Sequence, residues 1–305
     1  MSIRDAAARL RPVLSGEVRE AEPMARHTTY RIGGPAGLLV MCDTVADIAE
    51  TLRVLHDEGI EYTVVGKGSN LLVSDAGYDG AVVTLGREFK AHTVDGERVK
   101  AGAGCILAYV VRDAFARGLG GLEFAVGIPG TVGGALAMNA GSRDIWMSSA
   151  VESVTLYVPG QGLQRVACGD VAWAYRSSGL PSRGIIVESV LRLVAADRDR
   201  IRTEMERSLQ RRKATQPLGV ASAGSVFANP EGDSAGRLIE AAGLKGMRLG
   251  GARVSEVHAN FIVNEGRATA SDVLGLVRKI RMTVRDMYGI ELQPEIRLLG
   301  TFDGA

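Results

Sequence analysis

The stretch Gly127-Ile-Pro-Gly-Thr-Val-Gly-Gly-Ala-Leu-Ala-Met-Asn-Ala-Gly141 carries no charged residue and contains too much glycine for an ordinary helix or strand. Glycine accepts positive φ angles and lets main-chain amides approach a ligand without an intervening Cβ atom. A loop of this kind that leads into a run of small residues suits a pyrophosphate group bound by backbone amides. The same composition is equally typical of a tight packing turn, and the stretch alone does not separate the two interpretations.

A second glycine-rich loop lies upstream, at Gly66-Lys-Gly-Ser-Asn-Leu-Leu-Val-Ser-Asp75. Neither loop has the Gly-Lys-Ser/Thr order of a P-loop directly before a helix. The dinucleotide-binding pattern G-x-G-x-x-G fails as well, because Gly66-x-Gly68 continues to Leu71 where the third glycine is required. Both exclusions leave two amide-rich loops, which could bind one long ligand with two phosphates.

Polar side chains of the two loops could assist such a ligand. Ser69, Asn70 and Thr131 could bond phosphate oxygens, whereas Asn139 could bind a heteroaromatic edge or simply close a turn. The loops together predict a nucleotide-cofactor site, whose predicted residues are Gly66, Lys67, Gly68, Ser69, Asn70, Leu71, Pro129, Gly130, Thr131, Gly133, Gly134, Asn139 and Gly141.

The composition is that of a globular protein, with 305 residues, 46% hydrophobic and 23% charged, and a net charge of +1. These values exclude a disordered chain, and the length favours two domains. No excess charge of one sign points to nucleic acid or an anionic membrane as a partner. The anionic ligand inferred above would therefore need local positive charge.

The three cysteines, Cys42, Cys105 and Cys168, are odd in number and far apart, without a Cys-x-x-Cys pair. We therefore predict neither a disulfide framework nor a metal site, since the four histidines form no His-x-x-x-His pair either. The N-terminal residues lack the apolar core of a signal peptide, and no run approaches the roughly 20 apolar residues that span a bilayer. We expect a cytoplasmic protein without a membrane span, either a monomer or a weak oligomer.

Capping and periodicity signals predict mixed helices and strands. Thr44 is a predicted N-cap for a helix over residues 45–58, and Asp95-Gly96 predicts a hairpin turn. A long final strand is predicted over Ile290–Leu299. The predicted division is a cofactor region over 1–196, with lobes at about 1–86 and 87–196, followed by a substrate domain over 197–305.

Three polar residues outside the glycine loops are candidates for chemistry. Ser225 follows a glycine in a turn and could donate a proton, although a lone serine more often bonds its own backbone. Arg176 offers a planar fork for a carboxylate or phosphate, and could equally form a surface ion pair. Glu295 follows a proline among apolar residues, where partial desolvation would suit it as an acid, or it could face solvent. Spacing alone leaves these alternatives open.

Six segments of the sequence occur in an order that is similar to one known family. They are Thr28-Thr-Tyr-Arg-Ile-Gly-Gly34, Gly66-Lys-Gly-Ser-Asn-Leu-Leu72, Gly127–Gly141, Tyr175-Arg176-x-Ser178, Ala223-Gly-Ser-Val-Phe227 with Asn229-Pro230, and Pro294-Glu-Ile-Arg297. Together they cover nearly the whole chain, and the sequence resembles the UDP-N-acetylenolpyruvoylglucosamine reductases, the MurB flavoenzymes of peptidoglycan synthesis.

The resemblance implies an α+β fold, in which a PCMH/vanillyl-alcohol-oxidase-type FAD-binding domain precedes a smaller C-terminal α/β substrate domain. It implies non-covalent FAD that is reduced by NADPH and passes hydride to the enolpyruvyl methylene carbon of UDP-GlcNAc-enolpyruvate. Ser225 matches the serine that protonates the adjoining carbon, while Arg176 and Glu295 match the pair that stabilises the enolate. The positions that match contacts to the UDP-sugar are Tyr175, Lys213, Asn229 and Arg297, with Lys245, His258 and Asn260 as weaker candidates.

The sequence departs from the family pattern after Arg176. Leu180 stands near a position where many members have an aromatic residue, and the short connection to Ile185 resembles the subtype that lacks an extra tyrosine-bearing loop. Two alternatives remain open from the residues. One is a PCMH-type flavin oxidase, which shares the loops but does not require Ser225 with Glu295, and the other is a nucleotide-binding module without chemistry.

Overall fold

The structure, a computed structural model, describes residues 2–142 and 145–302. The helices of this part are α1 (Ile3–Leu10), α2 (Val45–Asp57), α3 (Leu107–Ala116), α4 (Val132–Ala137), α5 (Arg198–Thr215), α6 (Ala235–Ala241) and α7 (Ala270–Tyr288). Its first nine strands are β1 (Glu17–Pro23), β2 (Pro35–Cys42), β3 (Tyr62–Val64), β4 (Leu71–Val73), β5 (Tyr78–Leu85), β6 (His92–Asp95), β7 (Arg98–Gly102), β8 (Leu119–Gly120) and β9 (Gly141–Ser142). The others are β10 (Ile145–Trp146), β11 (Val151–Val158), β12 (Gly162–Ala167), β13 (Ile185–Arg192), β14 (Val194–Ala195), β15 (Arg248–Leu249), β16 (Ala252–Val254), β17 (Ile262–Asn264) and β18 (Arg297–Leu299). Among these helices, none combines the length and the apolar character needed to cross a membrane.

The chain forms two compact units that do not follow a single boundary. The larger unit comprises residues 1–20, 38–67 and 80–210, and the smaller comprises 21–37, 68–79 and 211–305. This division differs from the predicted contiguous boundary at 197. Within the smaller unit, β4 pairs in parallel with β18, and Asn264 Nδ2 donates to the Tyr30 carbonyl at 2.9 Å. Two early segments are thereby built into the unit that contains the C-terminal third of the chain.

The larger unit contains a five-stranded antiparallel sheet in the order β12-β11-β13-β7-β6. Strands β6 and β7 join through the predicted Asp95-Gly96 turn, where Gly96 has φ +53°, and this hairpin is confirmed. The sheet contributes buried Val154 and Leu191 to the same hydrophobic core as Leu136 of α4. The core therefore fixes α4, the short helix that follows the Gly127–Thr131 loop.

The first glycine loop follows a strand of a second sheet. This four-stranded sheet has the order β1-β2-β5-β3, with β3 parallel to β5. Helix α2 begins at the predicted N-cap, where the Thr44 hydroxyl accepts from the Asp47 amide and the Asp47 carboxylate accepts from the Thr44 amide. The Val65 amide still donates to the Val83 carbonyl, so the chain leaves this sheet immediately before Gly66.

The smaller unit contains a three-stranded antiparallel sheet in the order β15-β16-β17. Buried Val254 and Ile262 from the sheet and Leu276 from α7 share one hydrophobic core. Helix α7 begins with a Thr269 capping box and ends at Gly289, whose φ of +70° suits a glycine.

The predicted final strand over Ile290–Leu299 is wrong for most of its length. Only Arg297–Leu299 forms a strand. Pro294 has no amide hydrogen and makes an isolated bridge with Phe227 instead. The consequence is that Glu295 lies beside the Ser225–Phe227 segment and not in a regular strand.

Candidate active site

The two glycine loops meet within the larger unit at Gly66 and Thr131. A Cβ atom added to Gly66 would lie 2.5 Å from Thr131 Oγ1, closer than two such atoms can approach. Any side chain at position 66 would therefore force Thr131 of the second loop to shift. The proximity supports the interpretation of the two loops as parts of one site.

The amides at the start of α4 are engaged by the protein. The Val132 amide donates to the Cys105 carbonyl at 2.9 Å and the Gly133 amide to the Ala103 carbonyl at 2.8 Å. The Gly134 amide donates to Thr131 Oγ1 at 3.2 Å. For Gly133 and Gly134 the packing-turn interpretation therefore describes the observed bonds, and their predicted role as amide donors to a cofactor is not supported. A Cβ atom at Gly133 would lie 2.9 Å from Ala103 Cβ.

Four other main-chain amides of the same loops differ from these in their hydrogen bonding. Across residues 2–142 and 145–302, no acceptor receives the main-chain amides of Gly66, Lys67, Gly130 or Thr131. Main-chain amides in glycine-rich turns are donors suited to anionic oxygens. Because Gly66 packs against Thr131, these four donors form a candidate cradle for a diphosphate. The Lys67 side chain adds positive charge to the same loop.

The rest of the first loop belongs to the smaller unit and bonds there to protein. A Cβ atom at Gly68 would lie 2.2 Å from the His27 carbonyl oxygen, so the chain packs closely at this point. Asn70 Nδ2 donates to the Glu295 carbonyl at 3.0 Å, and the Arg297 amide donates to the Asn70 carbonyl at 3.0 Å. Leu71 opens strand β4 opposite Arg297. The observed contacts of Asn70 and Leu71 thus hold the Glu295 segment.

Asn139 closes a turn. It is 4% exposed, its Nδ2 donates to the Ala174 carbonyl at 3.1 Å, and its Oδ1 accepts from the Ser148 amide at 3.0 Å. Its φ of +39° is one that asparagine tolerates better than most residues. The structure favours this alternative over a contact with a heteroaromatic ring. Asn139 instead fastens the second glycine loop to the segment that carries Arg176.

Arg176 stands in an unusual backbone conformation beside two aromatic rings. Its φ is +55°, a left-handed value that costs a non-glycine residue on the order of 1–3 kcal/mol. Its guanidinium carbon lies 5.4 Å from the ring centroid of Trp146 and 5.2 Å from that of Tyr175. Arg176 Nη1 also donates to the Gly141 carbonyl at 3.4 Å. Strain of this kind is concentrated at functional sites.

Ser225 and Glu295 come together in the smaller unit. The Glu295 amide donates to the Val226 carbonyl at 2.7 Å, and the Ala228 amide donates to the Gln293 carbonyl at 2.9 Å. The two segments therefore run antiparallel, which places two of the three reacting candidates in neighbouring extended segments. This pairing joins positions that are 70 residues apart in the chain.

A buried asparagine holds the Ser225 segment from its other edge. Asn260 is 3% exposed; its Oδ1 accepts from the Phe227 amide at 2.9 Å and its Nδ2 donates to the Phe227 carbonyl at 2.8 Å. The Asn260 carbonyl also accepts from the Val226 amide at 2.8 Å. The family resemblance implies only a weak substrate contact at Asn260, whereas these bonds show that Asn260 fixes the residues next to Ser225.

A cavity of about 450 Å³ in the smaller unit includes Ser225 in its wall. Other lining residues are Thr215, Asn229, Arg237, His258 and Asn260. Asn229 Oδ1 accepts from the Ala235 amide at 3.1 Å and so also caps α6. The predicted contacts Lys213 and Arg297 are exposed, and Lys245 pairs at 2.6 Å with Glu240 of the cavity wall. The volume is sufficient for part of a nucleotide-sized ligand.

His258 is the titratable ring of this cavity. Its Nδ1 accepts from the Asn260 amide at 3.2 Å, which leaves the hydrogen of a neutral ring on Nε2. Burial, and to a smaller extent the positive charge of Lys245, lowers the pKa of His258 below 6.5. The neutral ring therefore supports the Asn260 main chain at pH 7.

Trp146 is a residue of the site that sequence reasoning missed. The chain has two tryptophans, and this one lies in no recognised motif. A Cβ atom at Gly141 would lie 2.5 Å from the Trp146 ring, so the last glycine of the Gly127–Gly141 stretch makes room for this side chain. The predicted cofactor role of Gly141 is thus accompanied by a packing role that the sequence could not reveal.

Comparison with known proteins bears on the whole chain. Residues 216–299 match the family described as "UDP-N-acetylenolpyruvoylglucosamine reductase, C-terminal domain", and residues 36–164 match "FAD binding domain". The chain is 47% identical over 297 residues to UDP-N-acetylenolpyruvoylglucosamine reductase 2 of Symbiobacterium thermophilum, covering 96% of each protein. The chain belongs to the UDP-N-acetylenolpyruvoylglucosamine reductase family. A relative from Geobacter metallireducens is 46% identical over 96% of this chain and 97% of its own length.

A solved structure agrees with this assignment. UDP-N-acetylenolpyruvylglucosamine reductase (MurB) from Thermus caldophilus aligns with a TM-score of 0.82 and 37% identity, over 93% of this chain and 99% of that one. The predicted α+β fold, with an FAD-binding domain and a C-terminal domain of this family, is confirmed. Both glycine loops lie in the FAD-binding match, and Ser225 and Glu295 lie in the C-terminal match. Arg176 lies outside both.

Proposed function

We propose that this chain reduces the enolpyruvyl group of UDP-GlcNAc-enolpyruvate to UDP-N-acetylmuramate, with NADPH as the reductant and non-covalent FAD as the carrier, in peptidoglycan synthesis. Membership of the family supports this activity. The observation that carries it is the antiparallel pairing that brings Ser225 beside Glu295. A flavin-binding module without chemistry would not require this pairing in a separate unit.

The larger unit fits the cofactor. The amides of Gly66, Lys67, Gly130 and Thr131 are the donors that we assign to the FAD pyrophosphate. The chemistry that FAD supplies when bound is hydride transfer, from NADPH in one half-reaction and to the enolpyruvyl methylene carbon in the other. The protein residues bind and orient the cofactor and the substrate, and they protonate the substrate carbon.

Each reacting residue has a distinct task in the proposal. When hydride adds to the methylene carbon, the adjoining carbon must take a proton, and Ser225 Oγ–H is the donor that we assign. Negative charge moves meanwhile onto the substrate carboxylate as an enolate. The Arg176 guanidinium stabilises this charge electrostatically, and Glu295 in its protonated form donates a hydrogen bond to it.

The UDP-sugar carries its own negative charge, which a net charge of +1 does not attract from a distance. We assign its recognition to local groups, namely Tyr175, Lys213, Asn229 and Arg297. Tyr175 is 45% exposed, as a ligand contact requires. Both substrates are nucleotides of the cytoplasm, and the proposal places the reaction there.

Anaerobic half-reactions test this function. The purified enzyme is reduced with NADPH, and UDP-GlcNAc-enolpyruvate is then added while flavin absorbance is followed. We expect rapid reoxidation with formation of UDP-N-acetylmuramate. A flavin that NADPH reduces but that only oxygen reoxidises would contradict the proposal and would indicate an oxidase instead.

A further inference from the structure

The position of Arg176 is not explained by the turn that contains it. Ala174 and Ser177 exchange main-chain hydrogen bonds of 2.9 and 3.2 Å, so Tyr175 and Arg176 occupy the two corners of a tight turn. The second corner has φ +55°, and turns with a positive φ there ordinarily place glycine or asparagine at it. Turn geometry therefore does not account for an arginine at this corner.

The backbone around the neighbouring Trp146 is held by main-chain pairing. It pairs with Gly141 across the β9–β10 ladder, and the Met147 amide that follows donates to the Ala140 carbonyl at 2.8 Å. Its ring meets that of Tyr175 edge to face at 5.6 Å between centroids. The Trp146 ring thus has a defined place, and the Arg176 guanidinium lies over it.

Contact with an aromatic ring can orient a guanidinium. The cation is attracted by the negative face of the ring, whereas its N–H donors lie in its own plane. The Trp146 and Tyr175 rings therefore bias the direction in which the N–H donors of Arg176 point.

The geometry points to Trp146 as a positioning residue for Arg176, holding its guanidinium in the orientation that meets the carboxylate of the substrate. This role rests on the proposed function, in which Arg176 stabilises the enolate. Trp146 itself exchanges no proton. Its contribution is confined to the half-reaction that involves the enolpyruvyl substrate.

The test compares three variants in stopped-flow half-reactions of the FAD-loaded enzyme. Trp146→Leu keeps apolar bulk but removes the aromatic face, and we expect reoxidation by UDP-GlcNAc-enolpyruvate to slow roughly 10-fold, which is about 1.4 kcal/mol. Trp146→Phe restores a ring face and should recover most of the rate. Reduction by NADPH and the FAD content should not change in either variant.

A matched control is Tyr109→Leu, which removes an exposed cation–π contact of Arg112 at 5.3 Å in the same unit. It should leave both half-reactions unchanged. Equal rates for Trp146→Leu and Trp146→Phe would overturn the proposal, because bulk alone would then suffice. Equal slowing of both half-reactions, or loss of FAD, would likewise reduce Trp146 to a packing residue.

Failure of the proposed function would look different, since the wild-type enzyme itself would not be reoxidised by this substrate. The interaction between Trp146 and Arg176 can then be measured from the melting temperatures of Trp146→Leu, Arg176→Met and the double variant. Non-additive shifts support a direct interaction between the two side chains, and additive shifts contradict it.

Discussion

The Gly66–Lys67 and Gly130–Thr131 segments of the larger unit and the Ser225 segment of the smaller unit present functional atoms in opposite ways. In the loops, the atoms offered to a ligand are main-chain amides, and bonds such as that from the Gly133 amide to Ala103 hold the backbone. In the Ser225 segment, the offered group is a side chain, and the side-chain amide of Asn260 holds the backbone. Substitutions in the first region should therefore act through steric clashes. Substitutions in the second region should act by removing or displacing a reacting side chain.

The largest expected effect is that of Ser225→Ala, which removes the proposed proton donor. Reoxidation by the enolpyruvyl substrate should slow by ~10²–10⁴-fold, as is typical of an acid–base group, while reduction by NADPH stays nearly intact. Separate half-reaction rates measure the difference. Ser222→Ala is the control, because the Ser222 carbonyl that Thr29 Oγ1 bonds at 2.7 Å is retained. Equal slowing of both half-reactions would make Ser225 structural.

Substitutions at two adjacent glycines of the second loop test the expected steric effect. Gly133→Val brings a branched side chain against Ala103, and we expect a loss of about 1–3 kcal/mol in unfolding free energy, with reduced FAD content as a consequence. Gly134→Ala is the control, since its nearest contact would be Thr131 Oγ1 at 3.5 Å. Urea unfolding and flavin absorbance report the two quantities. A Gly133→Val enzyme of normal stability that lacks FAD would instead favour direct cofactor contact.

Asn260→Asp, an almost isosteric change, tests how far the reaction depends on the support of the Ser225 segment. It keeps an acceptor for the Phe227 amide but replaces the donor to the Phe227 carbonyl, which is then left unsatisfied. We expect a cost of roughly 1–3 kcal/mol in unfolding free energy and a slower reoxidation half-reaction, with normal FAD reduction by NADPH. Loss of FAD from this variant would contradict the separation of the two regions.

The smallest expected effect concerns the pH dependence of the smaller unit. Because the pKa of His258 is lowered in the folded protein, the unfolded chain binds this proton at higher pH than the folded chain does. Stability should therefore fall as pH drops below about 6.5, the ordinary pKa of histidine, until the folded pKa is passed. Protonation also removes the Nδ1 acceptor of the Asn260 amide.

His258→Asn separates this contribution from other titrating groups. An asparagine can accept from the amide two residues on, as Nδ1 does now, and does not titrate. Urea midpoints at pH 7.5 and 5.5 should differ less in the variant than in the wild type. An unchanged difference would show that other groups account for the acid sensitivity.

Local elements of the fold were predictable because their causes lie within a few residues. The Thr44 capping box needs only Asp47, and the Asp95-Gly96 turn needs only its own φ preference. Motif order also led to the FAD-binding and C-terminal domains, since six segments in register are improbable by chance. Pro294 was visible in the sequence as well, yet the strand predicted across it ignored the missing amide hydrogen.

The remainder depended on partners that are distant in the chain. In the described part of the chain, the amides of Gly133 and Gly134 bond protein acceptors and those of Gly130 and Thr131 do not, although all four share one glycine-rich run. The Asn139 side chain bonds the Ala174 carbonyl and the Ser148 amide and so closes a turn. Composition shows which donors a loop has, but which donors the fold already uses depends on acceptors that folding brings from elsewhere.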